Sequence, residues 1–211
     1  MSVTGRRERK KQQTRGVIGD AAMRLFFARG FDAVTIADVA QEADVAVQTV
    51  FNHFPTKEDL FFQERESYVT APSAALRDRR ADESIGQALA RGYRRLLADY
   101  HDAGLLGRGV EYQRTLIDSP ALRGRELELR REREDLLAAT LAESEPPLSD
   151  GLRQRLLAAF ASAVDRVLDA EVRRRLLAGE PVDEILTALE PLVGELFNAA
   201  EAACQQVRSG P

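Results

Sequence analysis

Residues 47–53 bring together side chains suited to reading a charged polymer: Val47, Gln48, Thr49, Asn52 and His53. They are interleaved with Val50, Phe51 and Phe54, which share one face if the stretch is helical, so the amide, hydroxyl and imidazole groups point outward. Such groups on one short helix can bond base edges, while Thr35, His53 and Lys57 nearby suit phosphate oxygens. Gln48, Thr49 and Asn52 are the expected base readers. Catalytic constellations are missing from the sequence. His53 and His101 are far apart, Cys204 has no neighbouring His, and neither an HExxH nor a di-iron ExxH set occurs. We therefore expect no catalytic site, no metal and no cofactor. The glycine-rich GLLGRG at 104–109 lacks the Walker and dinucleotide spacings and follows a helix, so it reads as a joint between helices.

The elements that must position these groups can be read from the flanks. Ile36, Val39, Ala40 and Ala43 form the stripe of a two-turn helix. Thr35 can cap it, accepting the amide of Asp38, a contact worth ~1 kcal/mol. Asp44 falls in the turn, where a left-handed backbone is needed; Asp tolerates this better than most residues. Small residues at Ala40, Ala43 and Ala46 let two backbones approach, as in a helix-turn-helix. An ordinary helical hairpin with solvated polar residues fits the local pattern equally well. Ahead of the corner, Val17, Ile18, Ala21, Ala22, Leu25 and Phe26 make a supporting helix that Gly30 ends. Behind it, Pro55 stops the second helix, Thr56 and Asp59 form another capping pair, and Leu60 and Phe61 resume the apolar stripe. Lys57 then sits at a helix start, where a cation opposes the helix dipole unless an anion is bound nearby.

The run GFDAVTIADVAQEADVAVQTVFNHFPTKEDLF, with Phe51, Asn52, His53 and Phe54 followed by Lys57, resembles the DNA-binding domain of the TetR family of transcriptional repressors. The resemblance is continuous over residues 14–62. Asp44 stands where the family commonly has Gly, Ala46 where it has a capping Ser, and Phe51 where a Tyr often reaches a phosphate. The resemblance implies a ligand-responsive regulator that binds a palindromic operator on double-stranded DNA as a homodimer. It also implies pairing through the two C-terminal helices and release by a small molecule. An all-helical enzyme, or a ligand-binding bundle with no DNA role, is the competing class.

Charge distribution supports the DNA-binding reading. The chain is net −4, yet residues 1–30 carry eight Arg or Lys against Glu8 and Asp20, giving +6 there and −10 elsewhere. Arg6, Arg7, Lys10 and Lys11 lie in a basic arm, residues 1–13, expected to lack structure until phosphates order it. The N-terminus has no apolar h-region and no stretch approaches the ~18 apolar residues of a membrane span, so a cytoplasmic protein without a secretory leader is expected. A single cysteine excludes an internal disulfide.

The expected fold is all-α: a three-helix DNA-binding domain with its connecting helix at 14–70, and a larger helical ligand-binding and dimerisation domain at 71–211. Pro72 is expected to end the connecting helix, and the Pro146-Pro147 pair to make a turn. ELELRREREDL at 126–136 reads as a solvated helix face. The helix from residue 151 has two apolar seams, one through Leu156, Phe160, Ala163, Val167 and Ala170 and one through Leu157, Ala161, Val164, Leu168 and Val172. One seam can face the core and the other a second subunit. With the a/d seam of the last helix, this makes Leu156, Phe160, Val167, Leu189, Leu192, Leu196 and Ala199 the expected dimer interface. A ligand cavity with a few polar handles is expected among Tyr93, Leu97, Tyr100 and His101 on one helix and Tyr112 and Leu116 on the next. Phe160 and Val164 would complete its wall.

Overall fold

The computed structural model describes residues 3–102, 109–143 and 151–206, and every regular element among them is helical. The helices are α1 (Val3–Arg29), α2 (Ile36–Glu42), α3 (Val47–His53), α4 (Lys57–Phe61), α5 (Arg65–Arg77), α6 (Ile85–Asp102), α7 (Gly109–Asp118), α8 (Pro120–Ala142), α9 (Gly151–Leu177) and α10 (Val182–Gln206). The side chain of Arg6, residues 104–108 of the glycine-rich segment and the Pro146-Pro147 turn lie outside the described residues.

The chain divides into two units, one of residues 1–65 with 114–125 and the other of residues 66–113 with 126–211. The boundary thus falls at Arg65, earlier than the expected 70, and the corner between α7 and α8 joins the first unit. The connecting helix is not one rod. α4 ends after five residues at Phe62 (φ −91, ψ 57), and α5 starts afresh. Pro72, expected to stop the helix, lies buried inside α5. A proline there has no N–H for the carbonyl of Tyr68, four residues back; Arg133 Nη1 donates to that carbonyl instead, at 2.8 Å.

In the first unit, Ile18, Ala21, Ala22 and Phe26 of α1 are fully buried together with Val39, Val50, Phe54 and Leu60. Phe26, Phe31 and Phe61 stack around one another, with ring centroids 4.9 Å apart for Phe26–Phe31 and 6.2 Å for Phe31–Phe61. Both capping boxes form as expected, Thr35 with Asp38 and Thr56 with Asp59. Gly30 takes φ +80 at the end of α1, and Asp44 takes φ +52 in the turn. The arm is helical from Val3, against the expectation of an unstructured segment. Its Arg, Lys and Gln residues are good helix formers, and the Glu8–Gln12 pair bonds one turn apart at 3.1 Å. The α7–α8 corner is held by buried Ser119, whose hydroxyl donates to Asp32 Oδ1 at 2.8 Å and accepts from the amide of Leu122 at 3.4 Å.

In the second unit, α10 packs along α6 and α9. A Cβ on Gly86 would come within 2.8 Å of the Phe197 carbonyl, so only glycine lets α6 approach α10 this closely. The start of α6 is tied down by Glu201, which accepts from Ser84 Oγ at 2.6 Å and from the Gly86 amide at 2.8 Å. The two seams of α9 separate. Leu157, Ala161, Leu168 and Val172 are buried and Val164 packs against them, whereas Phe160 is 37% and Val167 58% exposed. On α10 the buried line is Ile185, Leu189, Val193, Phe197 and Cys204, and Leu192 is 42% exposed. Leu189, 1% exposed within its own bundle, is therefore corrected from interface to core; the helix presents Leu192 and Ala199 outward while Leu156 and Leu196 are half-buried.

Asp44 is the strained point of the corner, since a left-handed backbone costs a residue with a Cβ ~1–2 kcal/mol, less for Asp. Asp44→Gly is expected to raise the melting temperature by roughly 2–4 °C. A melt unchanged or lowered would show that the Asp side chain fully offsets the strain.

Candidate nucleic-acid interface

Helix α3 is seven residues long, too short to persist alone in water, so its pose is imposed by its neighbours. Val50 and Phe54 are fully buried and anchor it. Its last turn is clamped by Arg15, a residue the sequence reading had not singled out. Nη1 of Arg15 donates to the His53 carbonyl at 2.7 Å, Nη2 donates to the Gln63 carbonyl at 3.3 Å, and the guanidinium lies 4.1 Å from the Phe54 ring centroid. The signal for it was positional: an arginine two residues ahead of the apolar stripe of α1 that starts at Val17. At the other end Ala46 supplies no side-chain cap.

With that pose, Gln48 and Asn52 are exposed, Val47 is 41% exposed and Thr49 half-buried. Gln48 Nε2 donates to Asn52 Oδ1 at 3.2 Å, which holds the two amides side by side one turn apart. Phe51 departs from the expected inward face: it is 43% exposed and sits beside the polar set. His53 is half-buried. Burial, then Arg15 and Lys11, lower its pKa, which keeps the imidazole neutral at neutral pH. Lys11 is thus near enough to His53 for its charge to be felt, and it is exposed on α1 together with Arg7 and Lys10. The cations of α1 thus bear on the end of α3.

Two of the expected phosphate anchors are engaged inside the protein. The Thr35 hydroxyl donates to Asp38 Oδ2 at 2.7 Å while accepting from the Asp38 amide at 3.1 Å. These bonds, and then the Arg29 guanidinium, hold the Asp38 carboxyl below its usual pKa. Lys57 reaches back over α4: Nζ donates to the carbonyls of Phe31 at 3.0 Å and Val34 at 3.1 Å and lies 4.2 Å from the Phe31 ring centroid. The loop between α1 and α2 thus supplies carbonyl partners for the cation at this helix start.

The second unit contains a cavity of about 10 Å³ lined by Pro72, Leu89, Tyr93, Arg133, Leu137, Ala161, Asp165 and Phe197. Of the expected ligand residues it includes Tyr93 alone. Leu97 and Val164 pack against the core, Tyr100 and Tyr112 are half-buried elsewhere, and Leu116 belongs to the first unit. His101 is exposed and pairs with Asp183 at 3.5 Å, and Phe160 lies on the outward seam. Arg133 and Asp165 were not expected here. Arg133 is 4% and Asp165 5% exposed, with Arg133 Nη2 at 2.7 Å from Asp165 Oδ2. Arg133 sits in the stretch expected to be solvated, but four residues from Leu129 and four from Leu137 it falls on the buried stripe of α8. Asp165 likewise follows Ala161 by one turn. Burial pushes the Asp165 carboxyl up to about 6, and Tyr93, whose hydroxyl donates to Asp169 Oδ1 at 3.1 Å, is raised by burial too.

A short outward-facing helix held over a helical corner, with a basic helix in the same unit and a second, all-helical unit in the chain, is the arrangement of a helix-turn-helix protein. Residues 18–63 match the family described as "Bacterial regulatory proteins, tetR family". The chain is 31% identical over 172 residues to the HTH-type transcriptional regulator TcmR of Streptomyces glaucescens, spanning 79% of this chain and 76% of TcmR. The chain belongs to the TetR family of bacterial regulators, and it is a transcriptional regulator rather than an enzyme. The fold recurs in the TetR family repressor AlkX of Dietzia sp. strain DQ12-45-1b (TM-score 0.53, 21% identity, 92% of this chain and 98% of that one). It recurs also in FadR of Bacillus subtilis, solved in complex with stearoyl-CoA (TM-score 0.52, 23% identity, 86% and 96%). No helix among the described residues is long and apolar enough to cross a membrane.

Lys57→Met should lower stability by about 1–3 kcal/mol in urea unfolding, because two part-buried carbonyls lose their donor. The salt slope of DNA binding should stay unchanged. An unaltered midpoint with a slope reduced by about one would instead make Lys57 a phosphate anchor.

Proposed function

We propose that the protein is a cytoplasmic repressor that binds a near-palindromic operator as a homodimer and is released by a small molecule with a largely apolar body. The observation that carries the DNA reading is the exposed Gln48–Asn52 pair on α3 beside the cations of α1. Gln48, Asn52 and Thr49 read base edges, while Lys10, Lys11, Arg7 and His53 hold the backbone. Two-fold pairing is supported by the outward seam of α9 and by Leu192 of α10: Leu152 is 61%, Val167 58% and Leu192 42% exposed. Apolar side chains of this size in a row call for a self-complementary partner.

Effector response is supported by the polar-floored cavity in the second unit. At about 10 Å³ the cavity is closed down, so a ligand must open it, and the opened bundle is the released state. α8 begins in the first unit and carries Arg133 in the second, which makes it the element through which occupancy acts on the reading head. A 100-fold loss of operator affinity needs ~2.7 kcal/mol of coupling, and DNA must weaken the ligand by the same factor.

Selection of bound sequences from randomised duplexes tests the DNA reading directly, with a palindromic consensus expected. Gln48→Ala should cost about 1–3 kcal/mol and relax preference at one base pair, whereas Lys11→Ala should weaken all duplexes alike and lower the salt slope by about one. Binding unchanged in both variants would remove α3 from the reading role. Val167→Asp with Leu192→Asp should give monomers in sedimentation with much weaker operator binding; a dimer persisting in that variant would place the interface elsewhere.

A further inference from the structure

The Arg133–Asp165 pair is half made. On a guanidinium, Nε–H and one Nη–H point along the same edge and can grip a carboxylate with both arms. Here Nη2 meets Asp165 Oδ2 at 2.7 Å and Nη1 donates to the Tyr68 carbonyl at 2.8 Å. Arg133 Nε and Asp165 Oδ1 are both buried without a hydrogen-bond partner among the described residues. One donor and one acceptor are left open on two side chains more than nine-tenths buried, and both residues line the same cavity. Leaving them so is costly, which is why buried polar atoms are nearly always satisfied.

Building on the reading of this cavity as the effector site, we propose that it receives the hydroxyl group of a neutral alcohol or phenol, which accepts from Arg133 Nε and donates to Asp165 Oδ1. The open pair decides between chemistries. One donor and one acceptor, Arg133 Nε and Asp165 Oδ1, lack partners among the described residues, and a hydroxyl serves both with one oxygen and no net charge. A ligand carboxylate would be set against Asp165 and Asp169, and an ammonium against Arg133 and Arg130; neither charge would find a partner not already paired. The Tyr93 hydroxyl does not fill the role, being committed to Asp169. Water can occupy the same position, and a hydroxyl reproduces both of its bonds on displacing it. Leu89, Leu137 and Phe197 on the other walls take the apolar body as the cavity opens.

The test is calorimetric titration of the full-length protein, without DNA, against three matched sets: phenol, toluene and benzoate; 1-naphthol, 1-methylnaphthalene and 1-naphthoate; 1-octanol, nonane and nonanoate. The expected result is that in at least one set the hydroxyl compound binds about 10-fold or more tightly than both of its counterparts. Arg133→Met combined with Asp165→Leu, which removes both partners together, should abolish that preference while hydrocarbon binding persists. Arg133→Lys, which retains a charge for Asp165 but has no Nε on that edge, should reduce the preference if the double variant does not fold. Binding of no hydroxyl compound, or equal or tighter binding of the methyl or carboxylate counterparts, would overturn the proposal. Release of operator DNA is measured separately. Hydroxyl selectivity without release would sustain this assignment and count against the effector reading.

Discussion

One buried guanidinium organises the second unit. Arg133 of α8 donates to the α5 carbonyl that Pro72 leaves without an amide, stacks 4.5 Å from the Tyr68 ring centroid, and pairs with Asp165 of α9. Three helices are thus held in register by a single side chain. The arrangement is consequential because a buried ion pair depends on the bonds of its other polar atoms, and here Arg133 Nε and Asp165 Oδ1 have none among the described residues. Removal of either partner alone would strand a charge in the core. The same pair explains why a proline can sit inside α5 and why a polar floor exists beneath an apolar cavity.

The first unit follows a different logic. Its helix α3 has too few residues to be stable by itself, and nearly everything around it serves as a mould. Val50 and Phe54 fill the core, Arg15 closes the last turn, and the capping boxes satisfy the amides at the starts of α2 and α4. Lys57 ties the loop before α2 to α4 through two carbonyls. Cations that look available for phosphate in the linear sequence are therefore divided between two tasks. Arg15 and Lys57 hold the fold, and Arg7, Lys10 and Lys11 stay in solvent where a polyanion can meet them.

The outer face of α9 gives the bundle an asymmetric character. A helix apolar on one side is buried once; α9 is apolar on two and is buried on one. The remaining face carries Leu152, Phe160 and Val167 in solvent, three large apolar side chains along one helix.

Much of this was legible in the sequence because it depends on neighbours a few residues apart. The two capping boxes, the left-handed turn at Asp44, the end of α1 at Gly30 and the separate seams of α9 all follow from spacing along one helix or one turn. The exposure of Val47, Gln48 and Asn52 follows likewise, whereas Thr49 and His53 are half-buried and Phe51 is exposed. What the sequence could not decide are contacts between residues distant in the chain. Arg133 looked solvated amid a run of charges, and only the packing of α5, α8 and α9 puts it in the core beside Asp165. Pro72 reads as a stop unless a guanidinium 61 residues later takes the freed carbonyl; Lys57 reads as an anion site unless the carbonyls of Phe31 and Val34 lie beneath it. Periodicity settles which face of a helix is apolar. Which buried polar atom meets which partner is settled by tertiary structure alone, since hydrogen bonds and ion pairs depend on distances of a few ångströms that the linear order does not contain.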